Sequence, residues 1–257
     1  MQIGTYNVLG LKGYPPEESV RAIGSPGEDT NTAHFARVFS TLSCDILALQ
    51  EGVTVRTMQQ IARQMGRYLA TFPSPINWPG HVLSRFPILE SLVFSHAVPT
   101  DDTPPFSRTA GAALLDVDGA GLMWVVTVHL HPADVELRKR EADILQERVE
   151  ILRSVTDNMV ILGDFNSEVV ERVHQHLKAM GFANAMETAG GGIQTTMDTV
   201  GIRPHKIDHL YFSPPLVPHL QHASVVRDSG FRHDGPQEPG VWVHSDHLPV
   251  VATLNWP

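Results

Sequence analysis

The sequence places acids, amides and imidazoles where its most apolar runs begin or end. Burying such a group without a partner is costly, so each should be hydrogen-bonded, paired with a charge or bound to a metal ion. Six segments fit this description. In chain order they are Thr5-Tyr6-Asn7-Val8, Leu49-Gln50-Glu51, Val128-His129-Leu130, Gly163-Asp164-Phe165-Asn166, Lys206-Ile207-Asp208-His209 and Ser245-Asp246-His247-Leu248-Pro249.

These residue types are suited to the transfer of a phosphoryl group to water. Glu51 and Asn7 offer the hard oxygen atoms that Mg²⁺ prefers, and are few enough to leave coordination positions for water and substrate. Asp164 is a short acid at a strand end that can orient or deprotonate an attacking water. His247 can donate a hydrogen bond to phosphoryl oxygens, and Asp208 can hold that imidazole in one tautomer.

Three further side chains fit the same chemistry. Asn166 can donate an amide hydrogen to a phosphoryl oxygen or to the water without adding negative charge. Asp246 can bind a metal ion directly or through water. Arg108, in a loop before a predicted strand, is a candidate for contact with the substrate phosphate, and an ordinary surface arginine is the alternative.

Each segment taken alone also has an ordinary structural explanation. Asp164 can cap a following helix, and a single strand histidine such as His129 is usually a satisfied core residue. His131 shares a strand face with His129 if the strand continues past it, which leaves a zinc site open. Trp78 can stack on a base, contact a lipid or pin its own loop. The six segments together, in this order, make coincidence a poor explanation.

Alternating strands and helices would position these segments. Short apolar runs predict strands, and apolar residues at helical spacing predict helices. Thr54 and Gly66 mark the start and end of one helix. The predicted strands cover 2–9, 45–50, 68–72, 81–85, 88–95, 110–117, 122–130, 158–162, 207–212 and 248–254, and the other predicted helices cover 32–42, 133–155 and 168–180. Glutamates surround Arg138-Lys139-Arg140, which favours a solvated helix face.

The chain shows no repeat and no low-complexity linker, so we expect one α/β domain over residues 1–257. Proline and glycine concentrate in intervals that are predicted to be loops gathered on one side, where active sites are usually built. These intervals are 10–30, 73–80, 99–108, 189–204 and 228–240.

Composition excludes several classes of protein. The net charge of −9 counts against non-specific attraction to phosphate backbones, although a bound divalent cation would reverse the local field. The single cysteine, Cys44, excludes an intramolecular disulfide and a thiolate metal cluster. No apolar run reaches the ~18 residues of a membrane span, which predicts no stable membrane insertion. The start shows no signal-peptide pattern, so a cytoplasmic location is expected, although a chain trimmed of its leader would look the same.

The ordered set of segments resembles the endonuclease/exonuclease/phosphatase superfamily, the deoxyribonuclease-I-like metal-dependent phosphoesterases. The resemblance runs from Asn7 to Pro249, and its most specific part is Gly163-Asp164-Phe165-Asn166 together with Ser245-Asp246-His247. It implies an α/β fold, a four-layer α/β/β/α sandwich of two packed mixed sheets, with the site at one end of the sheets. The supporting matches are Val82-Leu83-Ser84-Arg85-Phe86-Pro87-Ile88 and Ile207-Asp208-His209-Leu210-Tyr211-Phe212.

The resemblance also assigns the roles. It implies Mg²⁺ as the cofactor, with Mn²⁺ as a substitute, and metal-assisted in-line attack of water on a phosphodiester. His129 matches the second histidine of the superfamily, which contacts phosphate or helps to protonate the leaving group. The implied metal ligands are Asn7, Glu51 and Asp246, the implied catalytic residues are His129, Asp164, Asn166, Asp208 and His247, and the substrate-binding candidate is Arg108.

Departures from the sequence signatures of individual branches of the superfamily narrow the range of possible substrates. Gly52-Val53 replaces the Thr-Lys that follows the metal glutamate of apurinic endonucleases, and Asn166-Ser167-Glu168 departs from the inositol polyphosphate 5-phosphatase signature. The segment around Asp164 is more similar to deadenylase-like, sphingomyelinase-like and generic bacterial members. Elimination leaves a small or single-stranded phosphodiester of the nucleic-acid, nucleotide or lipid head-group type, with single-stranded nucleic acid or a small nucleotide as candidates. A sphingomyelinase-like phospholipid hydrolase and a non-catalytic binding module stay open, as do protein partners.

Overall fold

Two mixed sheets of six strands each make up most of the computed structural model, which describes residues 1–96, 104–197, 204–228, 230–231 and 241–256. The first sheet has the order β11-β12-β1-β2-β4-β3, with β1 Gln2–Asn7, β2 Ile46–Gln50, β3 Tyr68–Phe72, β4 Gly80–Ser84, β11 Leu220–Val225 and β12 Val250–Leu254. The second has the order β5-β6-β7-β8-β10-β9, with β5 Ile88–Val93, β6 Ala110–Val117, β7 Gly121–His129, β8 Met159–Asp164, β9 Ala183–Asn184 and β10 Asp208–Phe212.

Helices cover the outer faces of both sheets. Side chains of α2 and α3 pack into the core of the first sheet, and side chains of α4 and α5 pack against the second. The described helices are α1 Pro16–Ile23, α2 Asp29–Thr41, α3 Val55–Met65, α4 Val135–Leu152, α5 Arg172–Ala179 and α6 Ala185–Ala189, with 3-10 turns at Leu9–Leu11 and Val217–His219. The resulting four layers confirm the predicted α/β/β/α sandwich.

Strand β7 is apolar on both faces because each face packs into a different core. Val125 belongs to the core between the two sheets, whereas its neighbours Trp124 and Val126 belong to the core beneath α4 and α5. Side chains alternate between the faces of a strand, so a strand in the middle of this sandwich needs apolar residues at every position. This explains the continuous apolar runs from which the inner strands were predicted.

Strand direction brings the polar strand ends together. The parallel strands β1 and β2 end with Asn7 beside Gln50, and the parallel strands β7 and β8 end with His129 beside Asp164. Strand β10 runs antiparallel to β8, so its first residue, Asp208, lies opposite Asp164. Strand β12 runs antiparallel to β1, so the segment that precedes β12 lies at the same edge. One end of the sandwich therefore collects all six segments.

Several elements differ from the sequence prediction. The predicted helix 168–180 begins only at Arg172, because residues 168–171 form a turn. Helix α1 lies inside the interval predicted as a loop; Pro16 stands at its first position, where a missing N–H costs nothing. Strand β11 was missed because it is an edge strand with two consecutive exposed residues. Within the predicted loops, residues 99–103, 198–203 and 232–240 lie outside the described residues.

The first and last strands, β1 and β12, are hydrogen-bonded neighbours in one sheet. This pairing ties the start of the chain to its end, and on that basis we propose that residues 1–257 form one domain. No described helix is both long and apolar enough to cross a membrane. The cytoplasmic location stays a prediction.

Gly163 allows the closest backbone approach beside the site. Its φ is +149°, and a Cβ atom at this position would overlap the carbonyl oxygen of Val128 on the neighbouring strand. We expect Gly163→Ala to lower the free energy of unfolding by about 3 kcal/mol or more, since neither backbone can move away. Gly66→Ala is the control, because its φ is also positive and nothing lies within 4 Å of its Cβ position. That variant should lose only about 1–2 kcal/mol in urea unfolding. Equal losses in the two variants would contradict this explanation.

Candidate active site

Asp164 lies at the centre of the converging side chains. Its Oδ2 accepts a hydrogen bond of 3.0 Å from Nδ2 of Asn7, and its Oδ1 accepts one of 2.9 Å from the backbone N–H of Asn166. The same Oδ2 lies 3.6 Å from Nε2 of His129 and 3.8 Å from Nε2 of His247. The carboxylate is held from four directions and is almost fully buried. Its orientation is thus fixed by the ends of different strands.

His247 and Asp208 form a buried pair. Nδ1 of His247 lies 2.9 Å from Oδ2 of Asp208, which accepts its hydrogen. The backbone N–H of His247 donates to Oγ of Ser245, and that hydroxyl donates to the carbonyl oxygen of Asn7. The imidazole is consequently held with its Nε2 directed toward Asp164.

Glu51 faces the same nitrogen of His129 as Asp164 does, with its Oε1 3.7 Å from Nε2. Glu51 and Asn166 both adopt left-handed backbone conformations, with φ of 50° and 48°. Such a conformation costs of order 1–3 kcal/mol in a residue such as glutamate, whereas asparagine adopts it at lower cost. Hydrogen bonds from Gly10 N–H to the Glu51 carbonyl oxygen and from Gly52 N–H to the Pro79 carbonyl oxygen hold this turn. The strained backbone of Glu51 therefore lies at the candidate site.

Burial and the crowding of like charges shift the pKa values of the acidic residues at the site. Burial raises the pKa of Glu51; His247 lowers it again and Asp164 raises it further. Burial followed by the charge of Asp208 raises the pKa of Asp164. Both raised pKa values indicate that the protein alone does not fully compensate the negative charge at this site.

The pKa values of the two histidines are shifted in opposite directions. Burial lowers the pKa of His129 to about 4, with the charge of Asp164 opposing it and that of Arg108 adding to it. For His247, burial lowers the pKa, but Asp208 and Asp164 outweigh burial and hold the pKa well above its ordinary value. One imidazole is therefore neutral at neutral pH and the other is charged.

The residues of the site fit a divalent cation. Three polar atoms of the site are buried without a hydrogen-bond partner: Oε2 of Glu51, Oδ1 of Asp208 and Nδ1 of His129. Buried polar atoms of proteins are rarely left without a partner. Among the described residues, ligand atoms of Asp164, Asp208 and His247 lie within 4.8 Å of one another and could hold a metal ion. In that group, however, Nδ1 of His247 is already bonded to Asp208. The unpaired oxygen of Glu51 is the more available hard ligand.

The remaining predicted residues lie around this centre. Asp246 is partly exposed, lies with its Oδ1 3.3 Å from Oγ of Ser245 and acts electrostatically on Glu51. Nδ2 of Asn166 donates to the carbonyl oxygen of Leu130, so one amide hydrogen is already used. Arg108 lies with its guanidinium 5.4 Å from the ring centre of Trp78 and acts electrostatically on His129. The structure thus brings the predicted set to one place.

Sequence reasoning missed one residue that positions this set. Glu141 on α4 is fully buried, and its carboxylate accepts hydrogen bonds from N–H and Oγ of Ser107 and from N–H of His131. It ties the Arg108 loop and the end of β7 to one helix. The predicted solvated face holds for the exposed side chains of Glu136 and Lys139. It fails for Arg138, which is 6% exposed and forms a two-point ion pair with Glu171. The helical spacing of Glu141 with the buried Leu145, Val149 and Leu152 was the available signal.

The zinc site that the sequence left open at His131 finds no support in the described contacts. Nδ1 of His131 accepts hydrogen bonds from the N–H groups of Ala133 and Asp134, and His131 belongs to no described group that could hold a metal. His209 is buried against His174 and Asn184, on the side of β10 opposite Asp208, and fills a structural role.

The charge on His247 can be tested by titration. In metal-free protein we expect the His247 ring to stay protonated through neutral pH, and Asp208→Asn to lower its pKa by about 1–3 units because the neighbouring negative charge is lost. Its raised pKa stabilises the fold fully below about pH 6.5, and this contribution is lost as the pH rises through the folded-state pKa. NMR titration of the ring protons measures the shift. Exposed Asp116→Asn is the control, and an unchanged His247 pKa in Asp208→Asn would refute the pairing.

Comparisons with solved structures show the fold. A mannosyl-6-phosphatase of Bacteroides thetaiotaomicron superposes with a TM-score of 0.73 at 16% identity, covering 99% of each chain. A 3′ phosphatase, NExo, from Neisseria bound to a product DNA hairpin superposes with a TM-score of 0.70 at 19% identity, covering 100% of each chain. Truncated TDP2 of Caenorhabditis elegans gives 0.70 at 19% identity, covering 98% of this chain and 96% of its own.

Family assignment comes from the sequence model rather than from these structures. No curated protein sequence matches the chain. The model of the Endonuclease/Exonuclease/phosphatase family matches residues 4–247, a span that contains Asn7 at one end and His247 at the other. The chain therefore belongs to the endonuclease/exonuclease/phosphatase family.

Proposed function

We propose that this protein is a Mg²⁺-dependent phosphoesterase that hydrolyses a phosphodiester by in-line attack of water. The observation that carries the proposal is the convergence of Glu51, Asp164 and the Asp208–His247 pair on one buried point, with unpaired oxygens left over. Two of the structural relatives are themselves phosphatases, which supports the same reaction class.

Glu51, Asn7 and Asp246 are the residues that we propose hold the cation. Glu51 offers a buried oxygen without a partner, and Oδ1 of Asn7 keeps a lone pair after accepting from Leu9 N–H. A Mg²⁺ or Mn²⁺ ion held by these residues would supply positive charge to neutralise the phosphoryl oxygens and stabilise the leaving oxygen. Crowded negative charge with raised pKa values favours such an ion.

Asp164 is the proposed group that orients the attacking water and accepts its proton. The hydrogen bonds from Asn7 and from the N–H of Asn166 hold its carboxylate in one orientation. Burial raises its pKa, which makes it a stronger base than an exposed aspartate. The free amide hydrogen of Asn166 is available to the same water or to a phosphoryl oxygen.

The two histidines and Arg108 meet the phosphoryl group. Charged His247 donates from Nε2 to an oxygen on which negative charge accumulates, while Asp208 fixes the orientation of the ring by accepting from Nδ1. Neutral His129 supplies an uncharged hydrogen bond beside Glu51 and Asp164. Arg108 adds a positive charge for the phosphate at the edge of the site. A nucleotide or single-stranded phosphodiester is the substrate class that we propose.

Two substitutions test the catalytic assignment. Asp164→Asn and Glu51→Gln should each lower the hydrolysis of a chromogenic phosphodiester by about 10²–10⁴-fold, since they remove the base and a metal ligand without changing volume. Exposed Glu147→Gln on α4 is the control and should retain full activity. Rates with Mg²⁺, with Mn²⁺ and with chelator complete the experiment.

Full activity in either site variant, or undiminished activity with chelator, would refute the assignment. A wild-type protein that binds phosphodiesters and hydrolyses none, across a panel of diesters and monoesters, would instead identify a binding module on the same fold.

A further inference from the structure

An apolar pocket opens beside the candidate active site. It has a volume of about 540 Å³, within the range of small-molecule sites, and its lining includes Gly52, Val53, Val55, Ile76, Trp78 and Pro79. We call it the Trp78 pocket. Gly52 directly follows Glu51, and exposed Lys12 lies at its rim. A substrate whose phosphoryl group contacts Glu51 would therefore have its next chemical group at this pocket.

Trp78 connects the pocket to the phosphoryl site. Its carbonyl oxygen accepts a hydrogen bond from Oγ1 of Thr109, and the carbonyl oxygen of Thr109 accepts one from the N–H of His129. The Arg108 guanidinium lies over the Trp78 ring at 5.4 Å. The ring is thus held between the residues that meet the phosphate and the apolar pocket.

The backbone of Trp78 is strained. Its φ is +77°, a conformation that glycine or asparagine adopts at low cost and that costs a bulky residue of order 1–3 kcal/mol. A loop that needed only a turn at this position would be more stable with one of those two residues. The strain points to a use for the indole ring that the turn itself does not require.

The lining favours a flat ring over a lipid. Trp78 is the one aromatic residue among the described residues of the lining, whereas a quaternary ammonium headgroup is recognised by several rings together. Arg108 already lies over this ring, and its charge would repel an ammonium group. A flat ring can stack on indole irrespective of its substituents, and Asn77 offers an amide to polar ring edges.

We propose that the Trp78 pocket binds the flat ring of the substrate, a nucleobase or an aryl group, next to the phosphoryl group that the active site hydrolyses. This inference rests on the proposed function, since it takes the phosphate to lie at Glu51. Trp78 is then the residue that determines specificity, and Arg108 contacts both the ring and the phosphate region.

Binding without hydrolysis tests the inference separately from catalysis. The Asp164→Asn protein with Mg²⁺ present is titrated calorimetrically with thymidine 5′-monophosphate, phenyl phosphate, ribose 5-phosphate and phosphorylcholine. We expect thymidine 5′-monophosphate to bind about tenfold more tightly than ribose 5-phosphate, since stacking on an aromatic side chain contributes that much. If phenyl phosphate binds as tightly as thymidine 5′-monophosphate, the gain in affinity comes from the flat ring alone. If phenyl phosphate binds more weakly, the gain comes from the nucleobase.

Variants at Trp78 separate ring binding from a role in pinning the loop. Trp78→Gly suits the left-handed backbone and removes the ring, so the advantage of thymidine 5′-monophosphate over ribose 5-phosphate should disappear. Trp78→Phe should keep most of that advantage, and Tyr68→Ala, which removes an exposed aromatic residue elsewhere, should keep all of it.

Three results would overturn the inference. The first is equal affinity for the ligands with and without a ring in the Asp164→Asn protein. The second is a loss of affinity in Trp78→Gly that is the same for both ligands, as a collapsed loop would give. The third is tightest binding of phosphorylcholine. Failure of hydrolysis in the wild-type protein leaves these binding ratios measurable, so the two proposals can fail separately.

Discussion

Burial of several carboxylates at one end of the sandwich is the constraint on which the rest of the site depends. Glu51, Asp164 and Asp208 are separated widely in sequence, yet they lie around two imidazoles in a region from which water is largely excluded. Charges cannot be buried this way unless cations or hydrogen bonds compensate them. One protonated histidine meets part of that need, and a divalent cation is suited to meet the remainder.

The two sheets create this convergence through their mixed topology. Each contains one parallel pair whose carboxyl ends carry site residues, and each adds an antiparallel strand that enters from the same edge. Gln50 joins the sheets, because its side chain accepts from Thr5 on β1 and donates to Thr127 on β7. The relative placement of Glu51 and His129, which come from different sheets, is thereby fixed.

Strand ends were predictable from sequence because a polar residue next to a fully apolar run is an informative anomaly. Asn7, Asp164 and His247 were recognised in this way, and the structure brings them together. Contacts between distant elements were not predictable. Glu141 is one of the glutamates around Arg138-Lys139-Arg140 for which a solvated helix face was predicted, whereas its hydrogen-bond partners Ser107 and His131 belong to other elements. The neighbours of a charged residue in sequence are a poor guide to its burial when its hydrogen-bond partners come from distant elements.

A crystal structure of the protein soaked with Mn²⁺ tests the central claim most directly, because anomalous scattering locates the ion without assumptions about activity. The account predicts a peak bound by the free oxygen of Glu51, with Asn7 and Asp246 as its protein neighbours and the Asp208–His247 hydrogen bond intact. Absence of any peak at this end of the sheets would contradict it. So would a single ion between Asp208 and His247 that leaves Glu51 unbound.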